Sequence, residues 1–351
     1  MPISESSAIS IEIQNKPWAW KQVAETSDHP FLSLEWLEPE LDENNRVDLL
    51  TGFRNGEPVC VLPYVRFFLN TCLLVGGYVS SEQPFISLNT KKAPATAVAT
   101  SLSRFLNKRF IKPVVVMDCI MDQDPVASAL VNTLVDKGWT KVERPGKKSP
   151  YIIISGLFDD YFMNVKRRVR KEYKRCKRNL ESDHKIKREL ITSSERLDMW
   201  LDEMIRIERI SWKKEVGLFS AGNQKTSLTR FKSLANSDKL RVFLLIANEK
   251  LIAYDIEIMD KNILWSFNTA FDPEFRKYGP GIDLQLEVIR YAFDLNVDRV
   301  ELLGDNQPYK RAFAHHTHDR STVFLFPPGL PALFGPLFLK AVKQIRGFAK
   351  K

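Results

Sequence analysis

The chain has 351 residues, enough for two domains, and its 44% hydrophobic and 27% charged residues are typical of a globular protein. It contains no run of about 18 apolar residues, and its opening residues, MPISESSAIS, lack the basic and apolar stretches of a secretory signal. The sequence therefore predicts neither a membrane-spanning helix nor a secreted protein. The net charge of +9 is uneven, because residues 166–178 (KRRVRKEYKRCKR) contain nine basic residues and one acidic residue. We expect an anionic partner at this segment.

The cysteine and histidine patterns do not indicate a metal site. The four cysteines are scattered along the chain, at Cys60, Cys72, Cys119 and Cys176. This spacing is typical of reduced thiols in a cytoplasmic protein. Three histidines cluster at His315, His316 and His318, but neighbouring side chains point apart and do not converge on one ion. The sequence therefore predicts no metal cofactor.

The first half of the chain has the pattern of a mixed α/β domain. VDLLTGF, the turn RNGE and PVCVLPYV together predict a β hairpin. The same patterns predict helices at Pro17–Ala24, Ser33–Leu41, Pro94–Asn107 and Pro125–Lys137, and strands at Cys72–Val75, Pro84–Leu88, PVVVMD and Trp139–Ile154.

The second half repeats this arrangement. RVFLLIA, the turn NEK and LIAYDIEIMD predict a second hairpin. Helices are predicted at Glu195–Ser211, Lys225–Asn236, Ile282–Asn296 and Tyr309–Phe313, and strands at ILWSFNTA, DRVELLGD and STVFLFP. Both halves follow the order helices, hairpin, strand, helix and strand, which favours two related lobes.

Residues 158–180 are predicted to form one amphipathic helix. Its apolar stripe recurs at steps of three and four, at Phe158, Phe162, Val165, Val169, Tyr173, Cys176 and Leu180. The cations fall on the other faces, where water, an anionic acceptor, a CoA phosphate, a nucleic acid or an anionic lipid surface would satisfy them. No aromatic residue lies on the basic faces of this helix, which argues against RNA recognition by base stacking.

The segment Arg276-Lys277-Tyr278-Gly279-Pro280-Gly281 lies between a predicted strand and a predicted helix. The N–H groups at a helix start and the helix dipole favour a bound phosphate, and glycine lets the backbone approach it closely. Arg276 and Lys277 add positive charge. The segment therefore indicates a phosphate site, although an ordinary turn before a helix has a similar composition.

Arg276-x-x-Gly279-x-Gly281, after a hairpin and a third strand, resembles the acyl-CoA pyrophosphate loop of the GNAT N-acyltransferases. The series KRRVRKEYKR, ERISWKKEVG, FDPEFRKYGPG and LLGDNQPYK is similar to the GNAT-fold group of cellulose- and exopolysaccharide-biosynthesis acetyltransferases, which is related to the Fem-type aminoacyl transferases. The resemblance covers roughly residues 157–326, and the first lobe matches more loosely. Relatives often have Ser where Gly279 stands and an acidic residue within the segment Asn306-Gln307-Pro308.

The resemblance implies a fold class of α/β (α+β) with tandem GNAT-like lobes, each a mixed, mainly antiparallel sheet flanked by helices. We expect a degenerate first lobe at 1–155, a catalytic lobe at 156–326 with the basic helix 158–180, and a tail helix at 327–351. The tail, PPGLPALFGPLFLKAVKQIRGFAKK, is apolar with basic residues near its end. It would pack on the domain or lie at the inner membrane face.

The implied donor is acetyl-CoA or a longer acyl-CoA, with no metal. Arg276 and Lys277 would contribute charge to its binding, and backbone groups would hold its phosphates at Tyr278, Gly279, Pro280, Gly281 and Ile282.

The candidate base lies in LIAYDIEIMD. Strand alternation places Asp255 and Glu257 on one face and Tyr254, Ile256 and Ile258 on the other. A carboxylate pair can accept the proton of an attacking amine, and a solvated strand face is the alternative interpretation. Asp255 is the first choice.

The resemblance also implies roles beyond the strand. Lys310 would lie near the transferred carbonyl, and Tyr309 would protonate the leaving thiolate; a surface Tyr-Lys pair is the alternative. The acceptor is expected to contact residues in four segments of the second half: Arg167, Arg168, Trp212, Lys213, Asn268, Asp272 and Asp305.

The predicted function is acyl-CoA-dependent N-acyl transfer to an amine of an amino sugar, an amino acid derivative or another metabolite. The amine would attack directly in a ternary complex, because no signature of a nucleophilic Cys or Ser is visible. Two alternatives stay open. One is a Fem-type transferase with charged tRNA as donor, which the basic helix favours. The other is a non-catalytic protein that binds an anionic polymer or membrane surface.

Overall fold

The computed structural model divides into two compact units, Met1–Lys147 with Asp319–Lys351, and Lys148–His318. The structure describes residues 8–13, 17–25, 30–37, 39, 47–67, 71–74, 88–89, 93–108, 113–121, 124–146, 148–211, 213–214, 217–220, 224–304 and 306–329. Three predicted features lie partly or mostly outside these ranges: the helix at Ser33–Leu41, the strand at Pro84–Leu88 and the tail helix at 327–351. Within the described ranges, no helix combines the length and apolarity needed to cross a bilayer.

The first unit is built on an eight-stranded sheet with the order β1-β2-β3-β4-β6-β15-β7, in which β5 pairs with β3. The β4–β6 pair is parallel, and the other pairs among the described strands are antiparallel. The strands are β1 Ser10–Ile13, β2 Val47–Arg54, β3 Glu57–Phe67, β4 Thr71–Leu74, β5 Leu88–Asn89, β6 Val114–Met121, β7 Thr140–Pro145 and β15 Arg320–Phe326.

The predicted hairpin of the first half is β2–β3. Its turn residues Asn55 and Gly56 have φ angles of 54° and 81°, the positive values that a tight hairpin turn requires. The helices of this unit are α1 Pro17–Ala24, α2 Ala95–Asn107 and α3 Pro125–Val135. Helix α3 begins at Pro125 because the carboxylate of Asp124 accepts the Ala127 N–H at 2.7 Å. Leu102 of α2 and Leu130 of α3 are buried in one core with Val115 and Leu325 of the sheet.

The second unit contains a seven-stranded sheet with the order β14-β8-β13-β12-β11-β10-β9. Only the β12–β13 pair is parallel among its described strands. The strands are β8 Ser149–Ile153, β9 Ile186–Ile191, β10 Leu240–Ala247, β11 Lys250–Asp260, β12 Ile263–Phe271, β13 Arg299–Glu301 and β14 His316–His318. The predicted fold class is confirmed, because each unit contains a mixed, mainly antiparallel sheet flanked by helices.

Five helices flank this second sheet in the described residues: α4 Phe158–Asn164, α5 Arg167–Asp183, α6 Ser194–Ile210, α7 Gln224–Asn236 and α8 Pro280–Asp294. Leu180 of α5 and Leu284 and Ile289 of α8 share one buried cluster with Phe243 and Leu245 of β10. Helix α6 contacts β11 and β12. It packs on the face opposite α8, where its Glu208 accepts hydrogen bonds from Tyr254 and Asn268.

The basic segment is two helices, so the prediction of one helix over 158–180 is wrong at its centre. Helix α4 ends at Asn164, and α5 begins at Arg167. Val165 and Lys166 between them are extended, with ψ angles of 142° and 130°. The apolar stripe is still buried, since the Val165 side chain packs with Tyr173 and Leu180 in the core. The break lets Val165 enter the core while α4 changes direction.

The unit boundaries differ from the predicted ones at 155 and 326. Strand β8 begins at Ser149 and pairs with β13, so residues 148–155 belong to the second unit. Strand β15 pairs with β6 and β7, so residues 319–326 return to the first sheet. Local patterns identified both strands but not their partners, because a period of two residues says nothing about which edge a strand joins.

Strands β12 and β13 separate soon after they meet. Their parallel pairing runs from Ile263–Arg299 to Trp265–Glu301, and β12 then continues to Phe271 while β13 ends. We call this point the β12–β13 fork; Ser266 and Leu302 are the first residues beyond the last pair. A fork between parallel strands opens a cleft at their carboxyl ends.

Candidate active site

Asp255 and Glu257 lie on the α8 face of β11. Asp255 is opposite Phe243 of β10, whose ring packs against Tyr291 of α8 with 5.3 Å between ring centroids. Glu257 is opposite Arg241, whose Nε donates to the Tyr291 hydroxyl at 3.0 Å. Both carboxyl groups are buried, at 3% and 0% exposure. The face expected from strand alternation is therefore not a solvated one.

Burial controls the protonation of this pair. Desolvation raises the pKa of Asp255 to about 7, against the lowering effects of its hydrogen bond with Glu257 and of the Lys213 and Lys310 charges. Desolvation, and then the charge of Asp255, raise the pKa of Glu257 well above its usual range. Within the described structure, Glu257 Oε1 lacks a hydrogen-bond donor. One proton shared with Asp255 would satisfy that oxygen.

The carboxyl pair is linked to both arms of the β12–β13 fork. The Ser266 hydroxyl donates to Glu257 Oε2 at 3.0 Å. Lys310 Nζ donates to the carbonyl oxygens of Leu302 and Leu303, each at 2.8 Å, and its charge acts on Asp255 and Glu257. The pair and the lysine therefore meet where the two strands part.

The β13 arm of the fork has unusual backbone geometry. Leu303 and Gly304 have φ angles of 51° and 58°, a conformation that costs a non-glycine residue about 1 kcal/mol or more. The two carbonyls that bond Lys310 belong to Leu303 and its neighbour. Tyr309 is 45% exposed, and its ring lies 5.8 Å from Lys310 Nζ.

A second polar cluster lies on the opposite, α6 face of the same strands. Glu208 Oε1 accepts from the Tyr254 hydroxyl at 3.3 Å and from Asn268 Nδ2 at 3.2 Å. Glu208 Oε2 accepts the Phe219 N–H at 2.6 Å. Lys213 Nζ donates to Asn268 Oδ1. This cluster fixes the segment that carries Lys213 against β11 and β12, next to the fork.

Glu208 is a site residue that the sequence analysis missed. It is 2% exposed and extends the apolar stripe of α6, four positions after Met204. An acidic residue on the apolar face of a helix was the available signal. The Cβ of a residue larger than glycine at 217 would lie 2.3 Å from the Glu208 carboxylate, so Gly217 allows this close approach.

A β-bulge at Phe267 brings the polar residues of β12 into place. Ile256 is opposite Asn268, whereas Glu257 is opposite Ser266, so Phe267 is the extra residue. The bulge directs Ser266 to the carboxyl pair and Asn268 to the Glu208 cluster.

The predicted phosphate loop forms the start of α8. Residues Pro273–Tyr278 form a 3₁₀ turn, Gly279 is left-handed at φ 58°, and Pro280 is the first residue of α8. Gly279 donates to Arg276 O, and the N–H groups of Ile282 and Asp283 donate to Gly279 O. No backbone partner of the Gly281 N–H is found in the described residues. Arg276 and Lys277 are exposed beside this turn.

Helix α5 supports the loop from the side. Cys176 Sγ lies 3.7 Å from Lys277 O and accepts from Arg175 Nη2 at 3.6 Å. The Tyr278 side chain is buried, and its hydroxyl donates to Asp183 Oδ2 at 2.7 Å. Tyr278 therefore anchors the loop through its side chain, and only its backbone faces the helix start.

Asp283, in the first turn of α8, is paired with Arg188 of β9 at 2.9 Å. This pairing offsets a carboxylate that would otherwise repel a phosphate at the helix start.

Three of the predicted acceptor residues, Asp272, Arg167 and Arg168, show no contact with the carboxyl pair among the described residues. Asp272 is buried and binds Arg206 at 3.0 Å and Lys250 at 3.1 Å, and it caps the 3₁₀ turn through the Glu274 N–H. This pairing indicates a structural role. Arg167 is exposed on the first turn of α5, with Arg168 beside it. Trp212 and Asp305 lie outside the described residues.

Gly279→Ala is expected to lower the free energy of unfolding by about 1–2 kcal/mol, because the new side chain must adopt a left-handed φ. Its Cβ would also lie 3.4 Å from Cys176 Sγ. Gly281→Ala is the matched control, since its Cβ meets only Phe271 at 3.8 Å and alanine favours a helix. Urea denaturation of both variants gives the comparison. Equal stability of the two would contradict the assigned loop conformation.

The comparisons with known proteins agree with this geometry. Residues 167–311 match the family model described as an acetyltransferase (GNAT) domain. No curated protein matches the chain. Among solved structures, a conserved protein of unknown function from Bacteroides thetaiotaomicron VPI-5482 has a TM-score of 0.61 at 10% identity, covering 91% of this chain and 99% of that one.

Two further structures share the fold. The crystal structure of FemX has a TM-score of 0.60 at 11% identity, covering 93% of this chain and 98% of that one. The L-PGS structure from Bacillus licheniformis has a TM-score of 0.56 at 12% identity, covering 92% and 98%. At these identities the likeness is one of fold alone. The match of residues 167–311 to a GNAT acetyltransferase domain supports the conclusion that the protein is an acyltransferase.

Proposed function

We propose that the protein is an acyl-CoA-dependent N-acyltransferase whose acceptor is an amine of an amino sugar, an amino acid derivative or another metabolite. One observation supports this proposal most strongly. A buried carboxyl pair lies at the β12–β13 fork, and burial raises the pKa of its Asp255 to about 7; the same domain contains a helix start suited to phosphates. The resemblance of the sequence to cellulose- and exopolysaccharide-biosynthesis acetyltransferases also supports this proposal.

The donor would lie with its pyrophosphate at the start of α8. The Gly281 N–H and the helix dipole favour an anion there, and Arg276 and Lys277 add exposed positive charge. Pro280 donates no hydrogen bond but presets the first turn of the helix. The pantetheine arm and thioester would then enter the cleft at the fork.

The reaction would proceed by direct attack. The acceptor arrives mainly as an ammonium ion and must lose a proton before its nitrogen attacks the thioester carbonyl. The Asp255–Glu257 pair, which holds one negative charge, accepts that proton, and the C–N bond forms. The attacking nitrogen then loses a second proton as the C–S bond breaks, and that proton passes through the Tyr309 hydroxyl or solvent to the CoA thiolate. Lys310 holds the fork carbonyls and keeps part of the carboxyl pair ionised.

Gly281→Trp is expected to abolish micromolar binding of acyl-CoA, because the indole would fill the space over the helix start. Isothermal titration calorimetry with acetyl-CoA and longer acyl-CoAs measures the loss and the preferred chain length. Glu195→Trp is the matched control, since Glu195 is the exposed second residue of α6, as Gly281 is of α8. Unchanged binding by Gly281→Trp would refute the donor site.

A donor carried on tRNA is the second candidate. Arg175, Arg276 and Lys277 are all exposed and are joined through Cys176 to one side of the loop, which suits a donor whose phosphate backbone continues beyond the loop. Loss of activity after ribonuclease treatment, together with no binding of any acyl-CoA, would replace the CoA proposal by this one.

A further inference from the structure

Helix α5 carries a straight row of cations on the side that faces away from its own core. Arg167, Lys171, Lys174 and Arg178 follow steps of four, three and four, and all four are exposed. The buried row of α5, at Tyr173, Cys176 and Leu180, lies on the opposite side. At 1.5 Å per residue, the cationic row is roughly 16 Å long.

These cations have few partners. Within the described residues, no carboxylate forms an ion pair with Arg167, Lys171, Lys174 or Arg178, and Lys174 lies only over the Phe162 ring, at 6.0 Å. By contrast, Lys177, on the flank of the helix, lies 4.0 Å from Glu287. Unpaired like charges on one helix face repel each other. The row therefore gains more from an external anionic surface than from the fold.

The cations at the start of α5 also destabilise this helix. Lys166, Arg167 and Arg168 occupy the start of α5, and no acidic residue lies in its first turn. The positive end of the helix dipole disfavours cations at this position. Selection for helix stability would put acidic residues there instead. The cations at the start of α5 are therefore better explained by the binding of an anionic partner.

Two exposed apolar side chains lie at the ends of α4, and one of them contacts α5. Met163 is 62% exposed, and its sulfur lies 3.0 Å from Arg170 Nη1 on α5. Leu157, at the other end of α4, is 70% exposed. Apolar side chains gain by entering the boundary between headgroups and acyl chains, whereas phosphates of a nucleic acid offer them nothing. The one aromatic residue of α5, Tyr173, is buried, so the helix offers no exposed ring for base stacking beside its cations.

We infer that the outward face of α5, with Met163 at its start, docks the protein on an anionic lipid bilayer. A flat, anionic surface matches a straight row of cations on a convex helix. The cations supply the attraction, and Met163 supplies shallow insertion. This docking surface does not depend on the identity of the acyl donor, and it is distinct from the carboxyl pair at the fork.

The test is co-sedimentation with vesicles of phosphatidylcholine containing phosphatidylglycerol, with pure phosphatidylcholine vesicles as reference. The full-length protein is expected to bind the anionic vesicles and to be released by salt. The triple variant Lys171→Gln, Lys174→Gln, Arg178→Gln is expected to bind about a hundred-fold more weakly, at about five-fold per cation. Glutamine keeps the helix propensity, and circular dichroism checks the fold.

A matched control removes the same charge elsewhere. The variant Lys21→Gln, Lys108→Gln, Arg209→Gln changes three exposed cations outside α5 and is expected to keep vesicle binding within a few-fold. Equal binding by both triple variants would overturn the proposal, because net charge alone would then explain it. Binding of tRNA that the α5 variant loses, with unchanged vesicle binding, would assign the face to nucleic acid instead. Neither outcome depends on acyl-CoA binding.

Discussion

Asp255→Asn is expected to lower kcat by about 10²–10⁴-fold while acyl-CoA binding stays unchanged. The substitution removes the group that accepts the amine proton, and general-base catalysis contributes roughly this factor. The side chain is nearly the same size, so the packing between β11 and α8 is kept. The rate of thiol release with the fastest amine acceptor gives kcat, and calorimetric titration gives the affinity for acyl-CoA.

The dependence of kcat/KM on pH tests whether Asp255 is the catalytic base. Because burial raises the pKa of Asp255 to about 7, kcat/KM of the parent should fall tenfold per pH unit below about pH 7, as the base becomes protonated. The residual activity of Asp255→Asn should lack this limb. A variant that keeps the limb, or loses less than about tenfold in kcat, would exclude Asp255 as the base.

Stability distinguishes a catalytic role from a structural one. The folded-state pKa of Asp255 is raised above its usual value near 4, so the folded state binds the proton more tightly than the unfolded state. Stability due to this group is full below pH 4 and is lost as pH rises through 7. Asp255→Asn cannot ionise and should therefore be at least as stable as the parent at pH 8.

Asp260→Asn is the matched control for these measurements. Asp260 ends the same strand and is also mostly buried, but it is paired with Lys239 at 3.1 Å. Its substitution should lower stability and leave kcat within a few-fold. The reverse pattern, with Asp260→Asn inactive and Asp255→Asn active, would assign the catalytic base to Asp260 and exclude Asp255.

Lys310→Met is expected to lower kcat by about 100-fold and to move the acidic limb of kcat/KM to higher pH. The lysine charge lowers the pKa of Asp255 and of Glu257, so its removal makes the base harder to ionise. The Leu302 and Leu303 carbonyls also lose their donor, which loosens the fork. Rate measurements from pH 5.5 to 9 give both effects.

Lys310→Arg separates charge from geometry. Arginine keeps the positive charge and should keep the position of the limb, but its planar group fits the two carbonyls less well than an ammonium does. We expect a partial loss of rate without a pH shift. A Lys310→Met profile with the limb in its original place would mean that the lysine does not act on the carboxyl pair.

The sequence was sufficient to predict features that depend on local periodicity. Alternation placed Asp255 and Glu257 together, and the Gly279–Gly281 pattern located the start of α8. The Asn55–Gly56 turn predicted the first hairpin. Each of these rests on neighbours in the chain, where side-chain direction follows from strand or helix geometry.

Features that depend on distant partners were not predictable in this way. The bulge at Phe267 decides that Ser266 reaches Glu257, and it exists only in the pairing of β12 with β11. The burial that shifts the pKa of Asp255 comes from packing of α8 on the sheet. The break at Val165 interrupts a helical pattern that continues through it in the sequence. The return of β15 to the first sheet is likewise a matter of topology.

A crystal structure of the protein with acetyl-CoA tests the central claim most directly. The account predicts the pyrophosphate within hydrogen-bond distance of the Gly281 N–H at the start of α8, and the thioester at the β12–β13 fork beside Asp255 and Lys310. A pyrophosphate bound elsewhere, or a thioester far from the carboxyl pair, would contradict it.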